Sequence, residues 1–205
     1  MRHVKGLCFA FLAIAALIAG TCSGTASASI LCSTETSPCT GTVYGSGTTI
    51  KAKLKAGTTA KLTSSFGTIT CKSSTLSGKT TNGEGHMTIT EMSTGSCTDS
   101  LGGNCTETAT NLPWTGRWET HWWGGGYWKY SEDGKGEPKR DYECPATGFK
   151  CEFGSAEFAL EVNGGNPAIA IAKGVPLKGS GISCPSEAFL DAEWEITEPK
   201  PLFLT

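Results

Sequence analysis

Any chemistry this chain performs must come from a short inventory of side chains. Glu119 and His121 stand two residues apart, a spacing that sets both on one face of a strand. A carboxylate beside an imidazole could ligate a metal or exchange a proton, but no third ligand is identifiable near them. Such residues also serve as cross-strand surface partners. His86, beside Gly85, reads as a residue flanking a turn. Glu157, Glu161, Asp191, Glu193 and Glu195 could in principle supply the paired carboxylates of a glycoside hydrolase. Their regular placement instead suggests solvated strand faces opposite Lys51, Lys53 and Lys55. Two acidic loops, "CTDSLGGNC" and "SEDGKGE", could offer oxygens to calcium, yet neither follows the EF-hand pattern. There is no G-x-S-x-G, H-E-x-x-H or P-loop motif. The inventory implies no cofactor, no metal site and no catalytic residue.

Aromatic density is the stronger signal. Residues 111–136, "NLPWTGRWETHWWGGGYWKYSEDGKG", hold five of the six tryptophans. Pro113, Gly116 and the triplet Gly124-Gly125-Gly126 favour two strands closed at the glycines over a helix. One strand spans about residues 112–123 and the other 127–131. Trp114, Trp118 and Trp122 then share a face with Trp128 or Tyr130, while Arg117, Glu119, His121 and Trp123 share the other. Two readings follow. Indoles on one strand face can fill a core, each burying roughly 150 to 250 Å². Alternatively, Trp118, Trp122, Trp123 and Trp128 could stack on a sugar while Arg117, Glu119 and His121 bond its hydroxyls; Gly116 would leave the Trp118 ring open to solvent. The same patch would suit another extracellular protein, since aromatics and arginine dominate interface hot spots.

The elements that must position these residues read as strands. "TTIKAKLK" alternates Ile50, Ala52 and Leu54 with Lys51, Lys53 and Lys55. "EFALEV" and "LDAEWEIT" alternate in the same way, setting Phe158, Leu160 and Val162, then Leu190, Ala192, Trp194 and Ile196, on one side. Period two with frequent turn signals ("GSG", "KAGT", "TNGEG", "NGGNP") predicts an all-β fold, an antiparallel β-sandwich or barrel. A faint echo hints at duplication: Cys71, Asn82-Gly83 and Ile89 are matched by Cys151, Asn163-Gly164 and Ile169.

Residues 1–28 read as a signal peptide, with basic Arg2 and Lys5, an apolar run from Leu7 to Ala19 and small residues at Ala26-Ser27-Ala28. That leaves residues 29–205 as one disulfide-rich domain outside the cell. Lipidation of Cys22 is the minor alternative, weakened by Thr21 before it. Removing Arg2 and Lys5 leaves 15 basic against 19 acidic residues, a net charge of −4. That balance argues against a nucleic-acid partner, and no membrane span is expected in residues 29–205. Eight cysteines remain in this part, an even count that predicts disulfides. They admit 105 pairings. Spacing around turn formers suggests Cys32–Cys39, Cys97–Cys105 and Cys144–Cys151, leaving Cys71–Cys184 to join across the fold.

The segments "LCSTETSPC", "GTTIKAKLKAGTTAKLTSSFGTITCKSSTLSGKTTNGEG", "NLP", "GGNPA" and "PKPLF" resemble a group of uncharacterised exported cysteine-containing all-β bacterial proteins. The resemblance runs from about Leu31 to the end and implies export and β-structure, with no assigned activity. The functional expectation is a secreted, non-enzymatic binding or surface-association domain working through the tryptophan hairpin. A passive envelope or matrix protein and a secreted hydrolase are the alternatives.

Overall fold

A computed structural model describes residues 30–82, 85–120, 125–131 and 136–205. The expected signal peptide lies outside these, as do His121, Trp122 and Trp123. The described residues form fourteen strands and no helix, with every pairing antiparallel. In chain order they are β1 (Leu31–Cys32), β2 (Thr49–Leu54), β3 (Ala60–Ser64), β4 (Gly67–Asn82), β5 (His86–Thr98), β6 (Asn104–Thr110) and β7 (Trp114–Thr120). There follow β8 (Gly125–Tyr130), β9 (Lys139–Cys144), β10 (Phe149–Gly154), β11 (Ala159–Asn163), β12 (Ile169–Ser180), β13 (Glu187–Glu198) and β14 (Phe203–Leu204). Alternation sets the faces as the sequence implies. In β13 Ala188, Leu190, Ala192, Trp194 and Ile196 are all buried, and in β2 Ile50 and Ala52 are buried while Lys51 and Lys53 are exposed.

Twelve of these strands close on themselves twice. The hairpins β4–β5 and β12–β13 are long enough to belong to two barrels at once. One ring runs β4–β5–β7–β8–β11–β12–β13–β2 and back to β4. The other runs β4–β5–β6–β9–β10–β12–β13–β3 and back to β4. Closure leaves no free edge within either ring, the usual liability of sheets this size. Between the half of β12 that serves one ring and the half that serves the other, the strand bulges between Ala172 and Val175. Gly174 takes a φ of 59° there and donates its N–H to Asp191 Oδ1 at 2.8 Å.

The first ring is packed with indole. Trp118 and Trp128 pack with Met87, Ile89, Leu160 and Val162, and only about 30 Å³ of space remains between them. Trp194, from shared strand β13, reaches shared strand β4, donating its Nε1–H to buried Ser74 Oγ at 3.0 Å. The β1–β14 ribbon covers the far end of this ring. Leu202 and Leu204 are buried, Leu202 exchanges hydrogen bonds with Gly165 in the β11–β12 turn, and Leu204 lies against Gly126 of β8.

The second ring holds the sulfur. Its bridges are Cys71–Cys97, Cys105–Cys144 and Cys151–Cys184, with Cys32–Cys39 outside it. Only Cys32–Cys39 follows the expectation from spacing. Cys97–Cys105, Cys144–Cys151 and Cys71–Cys184 do not form, because strand register and not chain distance selects the partner. Cys71 faces Cys97 across β4 and β5, and Cys97 also faces Cys105 across β5 and β6. The β6–β9 register continues to Cys144, so four cysteines lie in one row and the row resolves into its two outer couples. Cys144 faces Phe149 on β10, two residues short of Cys151, which instead reaches Cys184 in the β12–β13 loop. The four bridges place the folded chain in a non-reducing compartment.

One pairing pattern occurs twice along the chain, at an offset other than that of the sequence echo. In β2–β3–β4–β5 the first short strand pairs with the far half of the long third strand and the second with its near half. The order recurs in β10–β11–β12–β13. Cys71 on β4 and Cys151 on β10 therefore do not occupy corresponding strands.

Candidate functional site

Among the expected binding residues, Trp118 and Trp128 are interior. They are 6% and 1% exposed, which removes both from any solvent-facing platform. Gly116, expected to open space beside Trp118, does the reverse: a Cβ there would sit 2.5 Å from the Trp128 ring, so its absence lets that indole pack flat on β7. Trp114 is fully buried and donates its Nε1–H to Thr110 O at 2.8 Å; Trp128 donates to Met87 O at 3.3 Å. Arg117 and Glu119 do face outward. Glu119 accepts from Arg117 at 3.2 Å and pairs with Lys129, whose ammonium also lies 5.9 Å from the Tyr127 ring centre. The hydrogen bond from Lys129 holds the Glu119 carboxyl below its ordinary pKa, with Arg117 adding to the effect. His121, Trp122 and Trp123 lie outside the described residues.

The acidic strand faces behave as solvated surfaces. Glu193 pairs with Lys55 at 2.7 Å, Glu198 with Lys51 at 2.7 Å, and Glu195 with Lys200 at 3.0 Å. Glu161, Asp191 and Glu193 line an outer groove of about 710 Å³ beside Lys61 and Lys173. With Glu193 ion-paired and Asp191 bonded to the Gly174 amide, those two carboxylates already have partners. Asp99 clusters with the Cys105 and Cys144 sulfurs, and Glu107 with those of Cys71 and Cys97. Both sulfur pairs are spent in disulfides, so neither cluster offers a thiolate to a metal.

A different region has the geometry of a site. The open end of the second ring is formed by four hairpin turns: β3–β4, β5–β6, β9–β10 and β12–β13. Together they surround a cavity of about 430 Å³, within the range of small-molecule pockets. Its floor is Leu62, Ile69 and Cys144, the top of the barrel core, and Phe149 forms one wall, stacked on Phe153. Ser64, Thr68, Ser100, Thr147 and Ser183 supply hydroxyls. The four turns share one construction, an apolar residue beside a glycine with positive φ: Phe66-Gly67, Leu101-Gly102, Gly148-Phe149 and Gly181-Ile182. The glycines permit the tight reversals, so the apolar neighbour is carried to the tip. Phe66, Leu101 and Ile182 are 64%, 83% and 108% exposed.

Local chemistry holds these turns firmly. Asp99 Oδ1 accepts from the Leu101 and Gly103 amides at 2.9 and 2.8 Å, fixing the β5–β6 turn. Cys105–Cys144 joins the bases of two turns, and Cys151–Cys184 ties a third to β10. Of these loops, cysteine spacing marks β5–β6 and β9–β10 as disulfide hairpins, the first also as a possible calcium loop, and leaves the other two unmarked. The isolated apolar residues in "SSFG", "DSLGG", "ATGF" and "SGIS" were the available signal, and only barrel closure reveals that they meet.

No family model matches the chain, and no curated protein or solved structure shows significant similarity to it. No helix among the described residues is long and apolar enough to cross a membrane. The protein is an all-β, disulfide-stapled double barrel with one end covered and the other open.

Proposed function

We propose that this is a secreted, non-enzymatic binding protein that takes an apolar group into the open mouth of the disulfide ring. The observation that carries this reading is the 430 Å³ cavity floored by Leu62 and Ile69 and walled by Phe149. A pre-formed apolar cleft with a few hydroxyls at its border is what small hydrophobic ligands require. The bridges beneath the turns reduce the ordering cost that binding would otherwise carry. The leader-like residues 1–28 and the disulfides both support export.

The test is a titration of the oxidised protein with the neutral apolar fluorophore N-phenyl-1-naphthylamine. Saturable enhancement that Ser183→Trp abolishes, because the new ring fills the cleft, is the expected result. Equal enhancement in both proteins, or none in either, would reject the mouth as the site.

A second reading keeps glycan association at the β7–β8 turn. It is favoured by Arg117, Glu119 and Lys129, which share an outer strand face and flank Trp122 and Trp123 in sequence. A polysaccharide pull-down with Trp122→Ala/Trp123→Ala tests it: unchanged capture by the variant removes it.

A further inference from the structure

We infer that the rim of the mouth docks on an electrically neutral lipid surface, with Phe66, Leu101 and Ile182 entering among the lipid chains. The inference goes beyond the cavity: it concerns what the tips do, and would stand or fall whatever occupies the space between them.

Five large apolar side chains are exposed among the described residues, and three are these turn tips, all at one end of the barrel. Chance scatter over the surface explains single exposed residues. It does not explain the same construction on adjacent hairpins. The turn residues 64–67, 100–103, 145–149 and 181–186 contain no lysine, arginine, aspartate or glutamate. Of the flanking charges, Asp99 has one oxygen committed to the turn and the other buried, and exposed Glu187 faces exposed Lys178 across β13 and β12. Lys150 and Glu143, just behind the β9–β10 tip, pair with each other at 3.4 Å. The tips themselves are therefore uncharged, and the couples behind them are of opposite sign, which leaves no net charge to select an anionic surface or an acidic or basic partner.

Area decides between the remaining occupants. Taking side chains of roughly 150 to 250 Å², the three tips expose on the order of 450 Å². A stable dimer or protein complex buries about 800 Å² on each partner and needs matching shape. Here the apolar surface is divided among separate projections around an opening, which a rigid partner would have to match point by point. Fluid hydrocarbon needs no such match. The seryl and glycyl neighbours Ser65, Ser100, Gly102 and Ser183 are suited to the headgroup layer, where backbone and hydroxyl groups stay hydrated. Because disulfides hold the Leu101 and Ile182 turns and Ser64 Oγ accepts from the Phe66 amide at 3.3 Å, the tips enter without first being ordered.

The experiment is flotation of the oxidised protein, without its leader, with phosphatidylcholine vesicles at low and high salt. Binding that salt does not weaken is expected, and Leu101→Ser and Ile182→Ser should each lower the partition about tenfold. A Leu101→Trp variant, quenched by lipids brominated on their acyl chains, reports insertion directly. Ser183→Trp separates the two proposals: it should block the fluorophore yet leave flotation intact. Failure to float, dependence on anionic lipid, or flotation indifferent to the tip variants would overturn the inference. So would sedimentation showing a dimer that the tip variants dissolve.

Discussion

Replacing Arg140 with methionine should destabilise the protein by about 3 to 5 kcal/mol, far more than any surface substitution. Arg140 and Glu107 lie inside the second ring, each with a side chain only 3% exposed, and their Nη1–Oε1 distance is 3.0 Å. The guanidinium sits 5.8 Å from the Trp114 ring centre and 5.6 Å from that of Phe158, so it is also held by two aromatic faces. The Tyr142 hydroxyl bonds to both partners, and its burial, with Glu107 adding to it, pushes its pKa up, so it remains a donor at all ordinary pH. Methionine preserves most of the volume but leaves the Glu107 carboxylate without its cation. The loss then reflects a stranded charge more than a missing attraction. The triple replacement Glu107→Leu/Arg140→Met/Tyr142→Phe strands neither a charge nor the Tyr142 hydroxyl, and should lie within about 1 kcal/mol of the native protein or exceed it. Urea unfolding of the oxidised protein, with stability extrapolated to water, measures all of these. A loss below about 1 kcal/mol for Arg140→Met, or strictly additive single changes, would show that water reaches the pair and refute the reasoning.

Three other outcomes follow from the packing and the ion pairs. Gly116→Ala forces a Cβ to within 2.5 Å of the Trp128 ring and should cost about 1 to 3 kcal/mol by the same unfolding assay. Trp118→Ala should cost about 3 to 5 kcal/mol and open a cavity where only about 30 Å³ now exists; a loss under 1 kcal/mol would mean the ring is solvated. Glu152 has its pKa lowered first by the hydrogen bond from Lys139 at 2.7 Å and then by Ser180, opposed by burial. A folded pKa below the ordinary 4.5 means its stabilisation is complete above that value and fades as pH falls through the lowered one. Glu152→Gln should therefore lose at most about 1 kcal/mol near neutrality and nothing in strong acid, measured as unfolding midpoints across pH.

Strand periodicity carried the fold. The alternation in β2, β11 and β13 was plain because each strand has one face on a core and one on water. The cysteine partners were not legible, since Cys97 opposes both Cys71 and Cys105 and only the three-dimensional row shows which couples close. Closure into two rings depends on β4, β5, β12 and β13 each serving two neighbours along one edge, a fact with no local trace. The tryptophan stretch allowed both a core and a platform reading, and the burial of Trp114, Trp118 and Trp128 favours the core. A dense indole stretch fits either until the first ring of strands is known to need filling, and Gly116 reads as a gap until Trp128 is placed across it. The mouth was least visible of all, because Phe66, Leu101 and Ile182 are far apart in sequence and each is unremarkable alone.

Peptide mapping of the oxidised protein under non-reducing conditions bears most directly on the frame that builds the mouth. Fragments joined as Cys71–Cys97, Cys105–Cys144 and Cys151–Cys184, with Cys32–Cys39 apart, are the predicted result. Fragments joined as Cys97–Cys105 or Cys144–Cys151 would contradict it, since those links close each hairpin upon itself and leave the turns around the opening unconnected to one another.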